Sequence, residues 1–302
     1  MCKKTLLLTL FSIVLYSASF PSTEKSFLKI NNATVNTFMI FTSQEELNSG
    51  KYFFTNRPES LKMNIYHFPF LYQFSSTTKL NYFLIGNVGY SEISLNENYQ
   101  SLNSVKAYTA GAGGGVRYQL YNKLYLSLGT EFIYSQLGIY AKGDRLFGGA
   151  FEDLFKKNST QNLTYKFFGV AEYRPIWREF KPYISLGKKL YETKSRFTLN
   201  DLGSFHSVSS VTFFTFGVET PPLYNYTQED FLTFEVYLHR YLLNGAVKDV
   251  IKVDRYNNFG ALLYWNRSKA PWWISRYYLE STVTEADGLS GYNIGIGVTF
   301  DF

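Results

Sequence analysis

The chain has almost no cysteine. Its single one, Cys2, sits ahead of an apolar run near the start, so disulfides and cysteine-based metal clusters are excluded from the rest. Long apolar runs are missing too. The longest, "TLLLTLFSIVLY" at 5–16, falls short of the roughly 20 apolar residues a spanning helix needs. No stretch keeps a helical period. Charge of one sign is scarce: the formal net charge is +6 over 302 residues and it is scattered, so nucleic acid is not an expected partner. Three histidines leave little room for histidine chemistry, and no phosphate-cradling loop is present. "GAGGGVR" at 111–117 continues as a strand where such a loop would turn into a helix.

Tyrosine and phenylalanine are plentiful, at 26 and 28, against 4 Trp and 3 Met. β-rich chains use aromatics heavily, and so do membrane-interface belts. The N-terminus has a basic start at Lys3 and Lys4, the apolar run, and small residues at "SASF" (17–20). That is the pattern of a secretory signal cleaved after Ser19, with an uncleaved anchor helix as the alternative. Cleavage takes the formal charge from +6 to +4 through loss of the two lysines.

Beyond 20 the recurring signal is alternation over about ten residues or more, the signature of strands in a transmembrane barrel. It is clearest at 107–121, 124–134, 163–174, 231–242 and 291–302. In the last, Tyr292, Ile294, Ile296, Val298, Phe300 and Phe302 fall on one face, and Gly291, Asn293, Gly295, Gly297, Thr299 and Asp301 on the other. Weaker stretches lie at 28–41, 62–75, 79–90, 180–193, 207–219, 255–266 and 271–284, with Pro69 a blemish in the second. Together they predict an all-β chain: one antiparallel transmembrane barrel of twelve strands over 20–302. The connections between them alternate long and short, from 42–61 (long) to 285–290 (brief). Outer-membrane barrels have long outer loops and short periplasmic turns, so both termini are expected in the periplasm. Trp177, Trp265, Trp272 and Trp273 then form an aromatic belt at the periplasmic rim.

A terminal strand of alternating aromatics ending on Phe resembles the assembly signal of bacterial outer-membrane proteins. The stretches "YFLIGNVGYSEISL" (82–95), "AGAGGGVRYQLYNKLYLSLGTEF" (110–132) and "GLSGYNIGIGVTFDF" (288–302) resemble the solitary, autotransporter-like outer-membrane barrels of Gram-negative bacteria. These look like an autotransporter's translocator without a secreted passenger. Here only 20–27 separates the signal from the first expected strand, so no passenger is expected. The resemblance implies the barrel-assembly machinery as a partner during biogenesis, and outer-membrane lipid and lipopolysaccharide as surroundings. It carries no catalytic residues and no cofactor. A monomer is expected.

The parity of alternation directs Arg117, Glu131, Lys166, Glu172, Arg174, Glu235, Arg276 and Glu280 into the lumen, because a charge against lipid costs about 2–4 kcal/mol at the midplane. A single-sign ring would favour a selective pore, whereas both signs suit a salt-bridged, closed or narrow interior. A small-solute channel is the alternative. The expected longest loop, 135–162, carries Lys142, Arg145, Lys156 and Lys157; an ordinary solvated loop is the favoured account, with contact to lipopolysaccharide phosphates as the alternative.

A barrel hydrolase is the third reading. A His-x-Ser pair on one strand needs serine at 208, where "HSVS" has Val208, and parity sends His206 and His239 to opposite faces. No catalytic or metal site is therefore expected. Deleting Phe302 should impair barrel assembly in the outer membrane; normal heat-modifiable assembly of the deletion variant would contradict the assembly-signal reading.

Overall fold

The alternation produces a barrel. The computed structural model describes residues 49–55, 61–74, 79–95, 103–141, 159–197, 204–227, 230–267 and 274–301. Its strands are β1 (Ser49–Phe54), β2 (Leu61–Phe74), β3 (Leu80–Leu95), β4 (Asn103–Tyr121), β5 (Leu124–Ala141), β6 (Ser159–Tyr173), β7 (Lys181–Phe197), β8 (Ser204–Glu219), β9 (Tyr224–Asn225), β10 (Asp230–Gly245), β11 (Arg255–Arg267), β12 (Ile274–Ala286) and β13 (Leu289–Asp301). Consecutive strands pair antiparallel, and β13 returns to β1, closing twelve strands. β9 is a two-residue extra that folds back onto Phe231 and Leu232 of β10. The end carrying the β5–β6 connection is called the top, and the end with the Asn122–Lys123 turn the bottom.

Closure is uneven. β13 pairs with β1 from Leu289 to Ile294, but Phe300 and Asp301 pair directly with Tyr72 and Gln73 of β2. Among the described residues, β1 fills the upper part of the seam. Between Tyr66 and Tyr72, β2 has no described partner on that side. Pro69 falls in this stretch, opposite Asn87 of β3.

The strand positions correct the sequence reading in several places. The first described strand lies at Ser49–Phe54, inside what reads as a long loop at 42–61, because the six residues alternate too briefly to register. The expected strand at 28–41 lies outside the described residues. β3, β5 and β7 run on to Leu95, Ala141 and Phe197. The top loops shrink accordingly, and the alternation of long and short weakens. The bottom connection at 220–229 is longer than the top ones at 55–60, 96–102, 198–203 and 287–288. The strand tops carry residues such as Gln136, Gln161, Lys194 and Ser204 on their outward faces, and this polar dress reads as loop. The brief 285–290 connection is a two-residue turn at Asp287–Gly288, with Gly288 at φ 74.

A short helix, α1 (Ala246–Ile251), also goes beyond the sequence reading. Gly245 precedes it at φ 81, where a side chain would be strained and would meet the Val208 carbonyl. Lys252 ends it in the left-handed conformation. Val247 on α1 and Val253, just beyond it, both join the interior cluster.

The two faces of the wall differ as lipid demands. Outward side chains are apolar along a broad belt: Leu84 and Val88 on β3, Leu128 and Phe132 on β5, Leu186 on β7, and Tyr292, Ile294 and Ile296 on β13, the last 72 % exposed. Inward, a ring of Tyr52, Met63, Ile65, Ile133, Tyr191, Val211, Tyr241 and Tyr256 forms one cluster in the upper half.

Seven inward aromatics share one packing device. Tyr52, Phe83, Phe168, Tyr183, Phe213, Tyr237 and Tyr278 each lie over a glycine directly opposite on the next strand: Gly291, Gly115, Gly129, Gly217, Gly187, Gly260 and Gly297. A Cβ at any of these glycines would collide with the ring. Gly217→Val should therefore lower the urea-unfolding stability of the folded barrel by about 1–3 kcal/mol. Adding Tyr183→Ala should recover part of that loss; strictly additive losses would show that the ring does not depend on the glycine.

Candidate functional site

The alternation that sends apolar residues outward collects the charges inside. Near mid-wall, Lys166 on β6 meets Glu131 directly opposite on β5, Nζ to Oε2 at 2.8 Å. The two side chains are 1 % and 2 % exposed. Asn87 on β3 donates to the other oxygen of Glu131, across β4. Lys166 also lies over the Phe168 ring, 5.5 Å from its centroid.

A second group lines the lower wall. Glu172 on β6 is held by Arg117 from β4 and by Arg174, whose Nε is 2.8 Å away. Arg174 lies just past the end of β6 with its side chain 42 % exposed, so it belongs to the bottom rim and not to the strand interior expected for it. Burial opposes its charge, but the Glu172 carboxylate holds the guanidinium above its ordinary pKa. Glu219 at the end of β8 binds Lys181 at 3.1 Å and Arg276 at 3.4 Å. Glu235 on β10 accepts from the hydroxyls of Tyr183 at 2.6 Å and Tyr264 at 3.1 Å. Glu280 on β12 accepts from Tyr237. The guanidinium groups of Arg117, Arg174 and Arg276 stack on Tyr125, Tyr183 and Tyr264.

All eight lumen candidates thus take part in polar contacts, some with one another and some with partners that the parity reading passed over: Asn87, Lys181, Glu219, Tyr183, Tyr237 and Tyr264. Glu219 shares parity with Thr215 and Gly217, and that signal could have found it. The tyrosines read only as aromatics. Each link joins strands separated by at most two others. A salt-bridged interior was expected to plug the lumen, whereas these links run along its wall.

The histidines face differently. His206 is exposed on the outer surface, 2.9 Å from Glu192. His239 is buried inside, its Nδ1 2.6 Å from the Thr215 hydroxyl and its ring between Tyr237 and Tyr241. His67 is buried on β2. No group of three or more metal-ligating side chains occurs among the described residues.

Trp177 is exposed in the bottom 174–180 connection, and Trp265 is exposed near the bottom of β11, against Tyr277. Trp272, Trp273, Phe302 and the basic residues of 142–158 lie outside the described residues.

An outward apolar belt, an inward polar network and a closed sheet define a transmembrane β-barrel. Solved structures share this fold. The translocator domain of autotransporter NalP from Neisseria meningitidis matches with a TM-score of 0.61 at 10 % identity, over 92 % of this chain and 98 % of that one. The transport unit of the autotransporter AIDA-I from Escherichia coli matches with a TM-score of 0.55 at 7 % identity, over 90 % and 99 %. The β domain of the Bordetella autotransporter BrkA gives 0.53 at 10 % identity, over 83 % and 96 %. The fold is that of an autotransporter translocator. No family model matches the chain, and neither does any curated protein.

The buried pair generates a prediction. Lys166→Met leaves Glu131 buried with its charge uncompensated and should destabilise the barrel by about 3–5 kcal/mol in urea unfolding. Lys166→Met with Glu131→Gln should restore most of that. A double variant as unstable as the single would mean that the ion pair itself carries the stability.

Proposed function

We propose that the protein is a non-enzymatic barrel of the bacterial outer membrane, with a structural or surface-exposed role and a lumen closed or narrow to solutes. The burial of the upper inward ring carries this reading. Tyr52, Met63, Ile133, Tyr191 and Tyr241 stand on five different strands and are inaccessible to solvent. In an open twelve-stranded lumen such wall side chains would face water. The charges below them are engaged by opposite charges or by tyrosine hydroxyls, and among the described residues they form no single-sign ring to select an ion.

The autotransporter-type fold supports the outer-membrane location, with the top outside and the termini in the periplasm. In this reading residues 1–19 are a cleaved signal, the barrel-assembly machinery inserts the chain, and the barrel works as a monomer among lipopolysaccharide. The two ring-nitrogen contacts described above, to Glu192 and Thr215, fit polar rim and wall roles.

Purified full-length protein in planar bilayers should give no steady large conductance. Stable porin-like currents would overturn the closed-lumen reading in favour of a small-solute channel. Lipase or protease activity lost in His206→Ala or His239→Ala would overturn the non-enzymatic one.

A further inference from the structure

The outward face changes character along one line near the top of β10 to β13. The row Leu238, Phe259, Val283, Tyr292 is apolar throughout, each residue opposite the next across the sheet. Two residues higher, the row Arg240, Asn257, Glu285, Ser290 is polar throughout. Above this second row the stretch after α1 and the β12–β13 turn close around a cavity of about 400 Å³.

Three cations line it: Arg240 from β10, Arg255 from the start of β11, and Lys252, set by its left-handed backbone at the end of α1. None of the three side chains is in an ion pair among the described residues, although Asp254, Glu285 and Asp287 line the same cavity. Among the described residues Arg240, Lys252, Arg255, Asp254 and Glu285 make no ion pair across this space, which leaves hydrogen-bonding capacity for a molecule between them.

The chemistry of that molecule follows from the lining. A simple anion would meet the three cations and be repelled by the three carboxylates. A phosphorylated sugar suits both: its phosphate accepts from Arg and Lys, and its hydroxyls donate to the carboxylates and to Asn257. The apolar row directly beneath supplies a surface for acyl chains. We propose that this cavity binds the headgroup of a phosphorylated glycolipid of the outer leaflet, with its acyl chains laid down the Leu238–Tyr292 row. This rests on the outer-membrane reading with the top outside.

The test uses the full-length folded barrel in detergent, titrated with diphosphorylated lipid A and followed by native mass spectrometry. One lipid should be retained per barrel. Removing the lipid's phosphates should weaken binding by about tenfold or more, and so should Arg240→Gln with Arg255→Gln, since each charge-assisted bond lost is worth about a factor of ten. Lys252→Asn removes the third charge while keeping a residue that tolerates the left-handed cap, and should weaken binding even if the double variant folds poorly. Lys106→Gln, which removes an outward cation on β4, should leave binding unchanged. Equal binding by the Lys252 and Lys106 variants would overturn the proposal. So would displacement of the lipid by inorganic phosphate as readily as by glucosamine 1-phosphate, which would mark a plain anion site. Fractionation of the wild-type chain separates the two readings. Absence from the outer membrane defeats the location, whereas presence there without site-dependent binding defeats only the lipid site.

Discussion

The barrel depends on a ring laid over a glycine. In a closed sheet every inward residue competes with its cross-strand neighbours for space, and large side chains cannot face each other at every position. The chain resolves this by opposing large to none. Phe168 covers Gly129, Phe213 covers Gly187 and Tyr237 covers Gly260, each directly opposite on the neighbouring strand. The ring then lies flat along the wall and shields the neighbouring backbone. The tyrosines among them use the same posture to aim their hydroxyls. Tyr183 over Gly217 reaches Glu235, and Tyr237 over Gly260 reaches Glu280. Packing and polar network are therefore one construction: the glycine sets the ring, and the ring sets the hydrogen bond.

This explains why the interior charges hug the wall. A carboxylate on one strand is met by a hydroxyl or cation from a strand or two away, because the rings that bring the donors lie sideways. Such links stiffen the circumference. They do not bridge the lumen, so obstruction has to come from bulk, and the upper ring of tyrosines and aliphatics supplies it. Division of labour by height follows: apolar bulk above, paired charges below.

Much of the fold was legible in the sequence because lipid enforces parity. On the outer face a polar residue is costly, so Leu124, Leu126 and Leu128 on β5 or Tyr292, Ile294 and Ile296 on β13 announce their direction. The lumen charges follow by subtraction. What lipid does not police was hidden. Above the apolar belt the outward face turns polar, so β7 beyond Leu190 carries Glu192, Lys194 and Arg196 outward and reads as loop. β1 offers only Tyr52 and Phe54 as inward markers. α1 has six residues, too few for a period to show, and is fixed by Gly245 and by burial of Val247. The partners of the lumen charges were hidden for another reason. Tyrosine counts as apolar in a pattern and as a donor in a network, and alternation reads only the first.

The closing seam shows why the terminal strand alternates so strictly. β13 must satisfy lipid on one face and two different neighbours on the other. Toward β12, Gly297 admits the ring of Tyr278; toward β1, Gly291 admits that of Tyr52. One pair along, the roles reverse: Asn293 of β13 fills the space over Gly50 of β1. The Tyr52 hydroxyl then donates to Asn293 Oδ1 at 2.9 Å, tying the two exchanges together. A slip of one residue would turn Tyr292 and Ile294 inward and set Tyr52 against a side chain instead of a glycine. A slip of two would keep the faces but bring Tyr52 onto Asn293. The interlocked pairs exclude the second error, which lipid alone would permit. The register of β1 against β13 is keyed at Gly50, Tyr52, Gly291 and Asn293.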